Sequence, residues 1–221
     1  MSATSVPVTP RPVRLDIAGA VLNGDLSLPA DSRGLIVFAH GSGSSRHSSR
    51  NRAVAEALQH GRLGTLLLDL LTEGEEARDT TTAEYRFDIP LLADRVIAAL
   101  DWASAHRHLA PLHVGLFGAS TGAAAALIAA QKRRSIVRAV VSRGGRPDLA
   151  GESLEAVAAP TLLIVGGHDD VVIELNRQAF ARLKATKDLQ IVPGATHLFE
   201  EPGALNQVSR LARDWFARHL H

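Results

Sequence analysis

"GLFGASTGAAAA", residues 115–126, changes character at its centre. Leu116 and Phe117 close an apolar run, and from Ala123 an alanine run suited to a helix begins. Between them Gly118, Ser120 and Gly122 alternate with small residues, so a serine stands where a buried strand must turn into a helix. A sharp turn of that kind strains the serine backbone and projects Oγ above the sheet, and small flanking residues avoid collision. The N-terminus of the following helix adds N–H donors and partial positive charge beside that oxygen. Alone the pattern is weak, because a serine before a helix also reads as an ordinary N-cap.

Apolar runs and helical stretches alternate along the rest of the chain. Residues 34–40, "GLIVFAH", and 64–71, "GTLLLDLL", are nearly unbroken apolar runs, as expected of strands buried on both faces. Strands also fit 113–118, 136–142, 160–166 and 189–194. Helical spacing marks 50–60, 89–106, 121–132, 174–185 and about 203–219, with Leu92, Val96, Leu100 and Ala103 on one stripe of the second. Upstream, "VRLDIAGAVLNGDLSLPA" reads as two strands joined by a turn near Asn23-Gly24. The expected fold is α/β, a mostly parallel central sheet of about seven or eight strands with helices on both faces. Ligands in such sheets bind at the carboxyl ends of the strands. The polar stretch 72–86, "TEGEEARDTTTAEYR", reads as the longest loop, able to overhang the site in part, with "EEARD" a solvated run. The link from Ser142 to Pro160 is short, so no large lid is expected. Residues 1–12, rich in Ser, Thr and Pro, read as a flexible lead-in, and 13–221 as one domain.

Composition narrows the function classes. A formal net charge of +1 gives no bulk attraction to nucleic acid or an anionic membrane. The absence of cysteine excludes disulfides, thiolate metal sites and a cysteine nucleophile. The histidines are scattered without ligand spacing, so neither a metal nor a cofactor is expected. "MSATSVPVTPRPVR" has no apolar core of a signal peptide, and no apolar run approaches the roughly 18 residues of a membrane helix. A cytoplasmic location is therefore expected, and the oligomeric state is open.

A serine hydroxyl is a poor nucleophile until a base takes its proton, and the base needs an orienting acid. Both types follow downstream strands. "TLLIVGGHDDVV" presents Asp169 and Asp170, and "LQIVPGATHLFEEP" places His197 beyond the last strand. Asp169 is preferred because it stands three residues after Gly166, nearer the strand end. A turn aspartate and a solvated loop histidine are the competing readings. The other half of an oxyanion hole should follow an earlier strand, and "HGSGSSRHSSRN" does, with Gly41 and Gly43 permitting close backbone approach. The N–H groups of Ser42 and Thr121 are the expected donors. This loop lacks both the Lys-Ser/Thr ending of a P-loop and the three-glycine dinucleotide spacing. Arg46, His47, Arg50, Arg143 and Arg146 crowd the same edge. Gly41, Arg46 and Arg143 are candidates for substrate contact. Arg143, at a strand end, suits a carboxylate or phosphate, against the competing reading of a structural salt bridge to Asp148 or another acid.

Together, Gly-Ala-Ser-Thr-Gly, His-Gly-Ser-Gly, Gly-Gly-His-Asp-Asp and Ala-Thr-His resemble the α/β-hydrolase superfamily, specifically its small dienelactone-hydrolase-like members, from about residue 13 onward. The chain order Ser120, Asp169, His197 is the order of that superfamily. "VSRGGRPDLA" and "PGATHLFEEPG" are similar to bacterial hydrolase domains found alone or fused to phosphoribosyltransferase domains. The resemblance implies a compact serine hydrolase of a small carboxylic ester, with Ser120 as nucleophile, His197 as base and Asp169 as acid. One departure is that dienelactone hydrolases proper use a cysteine nucleophile, so the dienelactone substrate does not carry over. The same three residues would serve a thioesterase, acyltransferase or peptidase. Without a lid, water reaches the acyl-enzyme and hydrolysis is favoured. A non-catalytic ligand-binding module retaining the fold is the rival from another class. Activity is expected to rise with pH as the base loses its proton.

Overall fold

The computed structural model describes residues 8–17 and 19–220. In chain order the elements are β1 (Arg11–Ile17), β2 (Ala20–Ser27), β3 (Gly34–Ala39), α1 (Ser49–His60), β4 (Leu63–Leu68), α2 (Glu73–Thr82) and α3 (Ile89–Ala105). They continue with β5 (His113–Ala119), α4 (Thr121–Lys132), β6 (Val137–Arg143), α5 (Ser153–Ala156), β7 (Thr161–Gly166), α6 (Asp170–Arg182), β8 (Lys187–Val192) and α7 (Ala204–His219).

The eight strands form one sheet in the order β1-β2-β4-β3-β5-β6-β7-β8. β1, β2 and β4 pair antiparallel, and every pair from β4 to β8 is parallel. Alternation along the buried strands divides the core between two faces. Leu35, Val37, Leu66, Leu116, Val140 and Leu163 meet α3 and α4, whereas Ile36, Phe38, Phe117, Val141 and Ile164 meet α1 and α7. On the second face the Phe38 and Phe117 rings lie 4.8 Å apart between centroids, locking β3 to β5. From β3 the chain passes to β4 on one side, and from β4 it crosses back to β5 on the other side of β3. The order thus reverses at β3, and the crevice at the carboxyl ends of β3 and β5 is where this architecture places a ligand.

Three local expectations are corrected. The Asn23-Gly24 turn is not one: both residues lie inside β2, opposite Arg14 and Val13, and the reversal falls next to Gly19, whose φ is +81°. A Cβ at Gly24 would lie 3.1 Å from Leu66 Cδ1, so this glycine answers crowding between strands rather than turn geometry. The lead-in is shorter than expected, because Arg11 and Pro12 already pair with Leu26 and Asp25; residues 1–7 of that segment lie outside the described residues. The polar stretch 72–86 is mostly helix α2. Thr72 Oγ1 accepts the Glu75 N–H and Glu75 accepts the Thr72 N–H, a reciprocal cap that starts a helix even in a charged sequence. Nor is the "EEARD" run solvated throughout, since Asp79 is buried and accepts the N–H groups of Tyr85 and Arg86. The Ser142–Pro160 link holds only a short 3-10 turn and α5. Among the described residues no helix is long and apolar enough to cross a membrane.

Candidate active site

Ser120 sits between β5 and α4 with φ 50° and ψ −124°, a conformation sparsely populated by any residue with a side chain. It occupies the N-cap position, yet its side chain makes no capping bond, so the ordinary N-cap reading fails. The turn is this tight because its glycines admit no side chain. A Cβ at Gly118 would lie 2.4 Å from Ala123 Cα, and one at Gly122 would lie 2.3 Å from the carbonyl oxygens of both Ala39 and His40. Gly122 therefore lets the start of α4 press against the end of β3. Ser120 is also pinned to the loop after β6: its N–H donates to Arg143 O at 3.3 Å, and its carbonyl accepts the Arg146 N–H at 3.0 Å.

The histidine and the acid come from two further strand ends. His197 Nδ1 donates to Asp169 Oδ2 at 2.6 Å, which fixes the tautomer and leaves Nε2 as the basic atom. Asp169 stands at the N-cap of α6 without capping it, while Asp170 is exposed in the first helical turn. The helix starts at Asp170 rather than at residue 174, which places Asp169 at its N-cap, and the Asp169 carboxylate bonds to His197 instead of capping the helix. The two loops are tied together by the His168 N–H, which donates to Ala195 O at 2.9 Å. Gly41, Ser42, Ser120, Arg143 and His197 line one cleft of about 250 Å³.

The loop after β3 approaches from the opposite side. A Cβ at Gly41 would lie 2.9 Å from Ser120 Cβ, so only glycine allows this approach. His40 anchors the loop from beneath. The Leu70 N–H donates to His40 Nε2 at 3.1 Å, and Nδ1–H donates to Gly41 O at 2.9 Å. Burial lowers the His40 pKa, against smaller opposing effects of the Gly41 carbonyl and Asp69, so the ring is held neutral. Thr121 is buried as the first residue of α4, where helix geometry leaves its N–H without an intrahelical acceptor.

The arginines separate. Arg46 does not line the cleft. Its guanidinium is occupied by Asp69 and lies 3.7 Å from Asp25, in a neighbouring cavity beside His40. Arg143 does line the cleft, and the expected bridge to Asp148 is made instead by Arg146 at 2.8 Å. Arg143 donates to the buried Asn51 Oδ1 at 3.1 Å and lies over the Phe199 ring. Asn51 and Phe199 escaped sequence reading, because a lone Asn in a helix and a Phe after a histidine carry no signal of their own. A cavity of similar size, about 260 Å³, lies against β2 and α1 and includes none of these residues.

Residues 66–220 match the family model described as "Dienelactone hydrolase family". The chain belongs to the dienelactone hydrolase family. The crystal structure of a dienelactone hydrolase from Anabaena variabilis is 52% identical, covers 98% of this chain and 100% of that one, and superposes with a TM-score of 0.96. Two Mycobacterium tuberculosis proteins, provisionally named phosphoribosyl transferases, are 58% identical over 205 residues. That match takes in 92% of this chain but 45% of each of theirs, so the chain spans about half the length of these relatives. The esterase domain of a Rhodothermus marinus protein shares the fold at 20% identity and a TM-score of 0.74, over 96% of this chain and 100% of that one. Within this hydrolase family the position at the strand-to-helix turn is here a serine, Ser120.

Proposed function

We propose that this family member is a serine hydrolase that cleaves a small carboxylic ester through an acyl-enzyme. The observation that carries the proposal is the 2.6 Å bond from His197 to Asp169, on a histidine that lines the same cleft as an uncapped, strained Ser120. Ser120 Oγ attacks the ester carbonyl as His197 Nε2 takes the hydroxyl proton. The tetrahedral oxyanion is stabilised by the N–H groups of Ser42 and Thr121, where losing one donor typically costs about 100- to 1000-fold in rate. Collapse breaks the bond to the alkoxy oxygen, and His197 returns its proton to the departing alcohol. Water then attacks the acyl-Ser120 ester with His197 again as base, which releases the acid and restores the hydroxyl. Asp169 holds the imidazole orientation and stabilises the imidazolium that forms in each half.

The test is labelling with a serine-directed fluorophosphonate, with mass spectrometry to locate the adduct. One adduct per chain on Ser120, abolished in His197→Ala, is expected. A folded protein that never labels overturns the reading. Short oxygen esters and thioesters of the same acyl group then separate esterase from thioesterase. The names of the Mycobacterium tuberculosis relatives favour a second reading, a domain that binds an anionic ligand beside a transferase and turns nothing over. Under that reading a ligand raises the melting temperature while the protein shows neither labelling nor turnover.

A further inference from the structure

We infer that the cleft carries an anion subsite, built by Arg143 with Arg50 beside the nucleophile, for a carboxylate or phosphate group borne by the substrate itself. The class of ester rests on the hydrolase reading; the subsite does not.

Arg143 is 6% exposed. Its strand β6 lies between β5, which ends at the nucleophile, and β7, which leads to Asp169, so its side chain issues from the centre of the site. Among the described residues no carboxylate pairs with it. Nη2 reaches Asn51, and Nε is buried without a hydrogen-bond partner. A guanidinium has five N–H donors, so one amide oxygen and one aromatic face leave most of them free. The nearby charge is another cation. Arg50 lines the same cleft with its own Nε buried and unpartnered, and its Nη1 is drawn to the exposed Glu200 at 2.9 Å. Burial and this neighbour push the Arg143 pKa down to about 10, which still leaves it charged at neutral pH.

Burying a charge without a counter-ion opposes folding, and placing a second cation beside it adds to the cost. A side chain needed only for packing over Phe199 would not require the charge. The cleft wall also contains no aspartate or glutamate. The 12-residue helix α1 begins at its edge with Ser48 and Ser49 and adds partial positive charge there. A forked donor with free N–H groups, a second guanidinium and a wall without acids are complementary to a group with two or three anionic oxygens. The favoured substrate is accordingly an ester bearing its own negative charge within reach of the reacting carbonyl.

The test compares kcat/KM for matched esters: 4-acetoxybenzoate, 4-acetoxyphenyl phosphate and the neutral methyl 4-acetoxybenzoate, then phenyl hemiglutarate against its methyl-capped counterpart. These place the anion on the alcohol side or the acyl side, and distinguish carboxylate from phosphate. An advantage of about 10- to 100-fold is expected for at least one anionic ester, as for charge-assisted hydrogen bonds. The ratio should fall to about one in Arg143→Met and be partly kept in Arg143→Lys. If Arg143→Met does not fold, Arg50→Gln carries the test with a smaller loss of the ratio. Hydrolysis without anion preference in the wild type, or a preference that survives in the variants, overturns the inference. If no ester is turned over and Ser120 does not label, the hydrolase reading has failed. Titration of Ser120→Ala with glutarate and inorganic phosphate then reads the subsite directly. Binding lost in the Arg143→Met double variant supports it, and no binding of either anion overturns it.

Discussion

Asp169 Oδ2 accepts the Nδ1–H of His197 at 2.6 Å, while Asp170, one residue on, faces solvent from the first turn of α6. Adjacent carboxylates therefore occupy different environments, and only one can orient the imidazole. Asp169→Asn should lower kcat for 4-nitrophenyl acetate by about 10³- to 10⁴-fold, by analogy with orienting aspartates in serine proteases. Asp170→Asn should change it by less than about threefold, having no contact to the base. Equal losses would assign the acid role to neither residue uniquely.

Two glycines press on the nucleophile turn from different directions and should fail differently. A Cβ at Gly41 would meet Ser120 Cβ at 2.9 Å and Ala119 O at 3.2 Å. Gly41→Ala should displace the loop after β3 and lower kcat about 10- to 100-fold, the scale of a misplaced reacting group, with little change in melting temperature. A Cβ at Gly122 would meet two carbonyl oxygens at 2.3 Å, deep between β3 and α4. Gly122→Ala should cost about 1–3 kcal/mol of stability or more, the range for overpacking, read from urea denaturation. A stable Gly122→Ala variant would show that the α4–β3 approach can relax.

The parallel sheet was legible because the strands from β3 to β7 are six or seven residues long and mostly apolar, with β6 interrupted by Arg138 and ending in Ser142 and Arg143. The positions of Ser120, Asp169 and His197 followed from that, since each stands just beyond a strand. Asn23-Gly24 misled because a hairpin dipeptide is also what fits a crowded strand interior, and only the partner strand decides between them. The helix at 73–82 hid behind its charge, although Thr72 and Glu75 spell a capping box. The fate of the arginines was beyond sequence reading. Whether Arg46 or Arg143 finds a carboxylate depends on which acids the fold brings near, and Asp69 and Asp25 stand 23 and 21 residues from Arg46 along the chain.

His40 ties the loop after β3 to the start of the β4–α2 connection through one accepted and one donated hydrogen bond. Burial lowers its pKa below the ordinary histidine value near 6.5. The sign follows from linkage. The unfolded chain binds the proton more readily, so the contribution of His40 to stability is complete above about pH 6.5 and is lost as pH falls toward its folded pKa. Protonation also removes the acceptor for the Leu70 N–H. Melting temperature should therefore fall between pH 7.5 and pH 5, and the fall should be shallower in His40→Gln. Parallel profiles for the two proteins would show that other groups set the acid limit.

Ser120 has φ 50° and ψ −124°, the region used by the first central residue of a type II′ turn, where glycine predominates. Replacing alanine by glycine usually destabilises a protein, because the unfolded chain gains freedom. At this position the sign should reverse. Ser120→Gly relieves the backbone strain and Ser120→Ala keeps it, so the glycine variant should be the more stable by about 1 kcal/mol, the low end of the cost of such a conformation. Both variants lack the hydroxyl and should be inactive, which removes any contribution of catalysis to the comparison. Urea midpoints with unchanged slopes would measure the difference. An alanine variant more stable than the glycine one by the usual margin of about 0.4–1 kcal/mol would mean that the turn stores no strain.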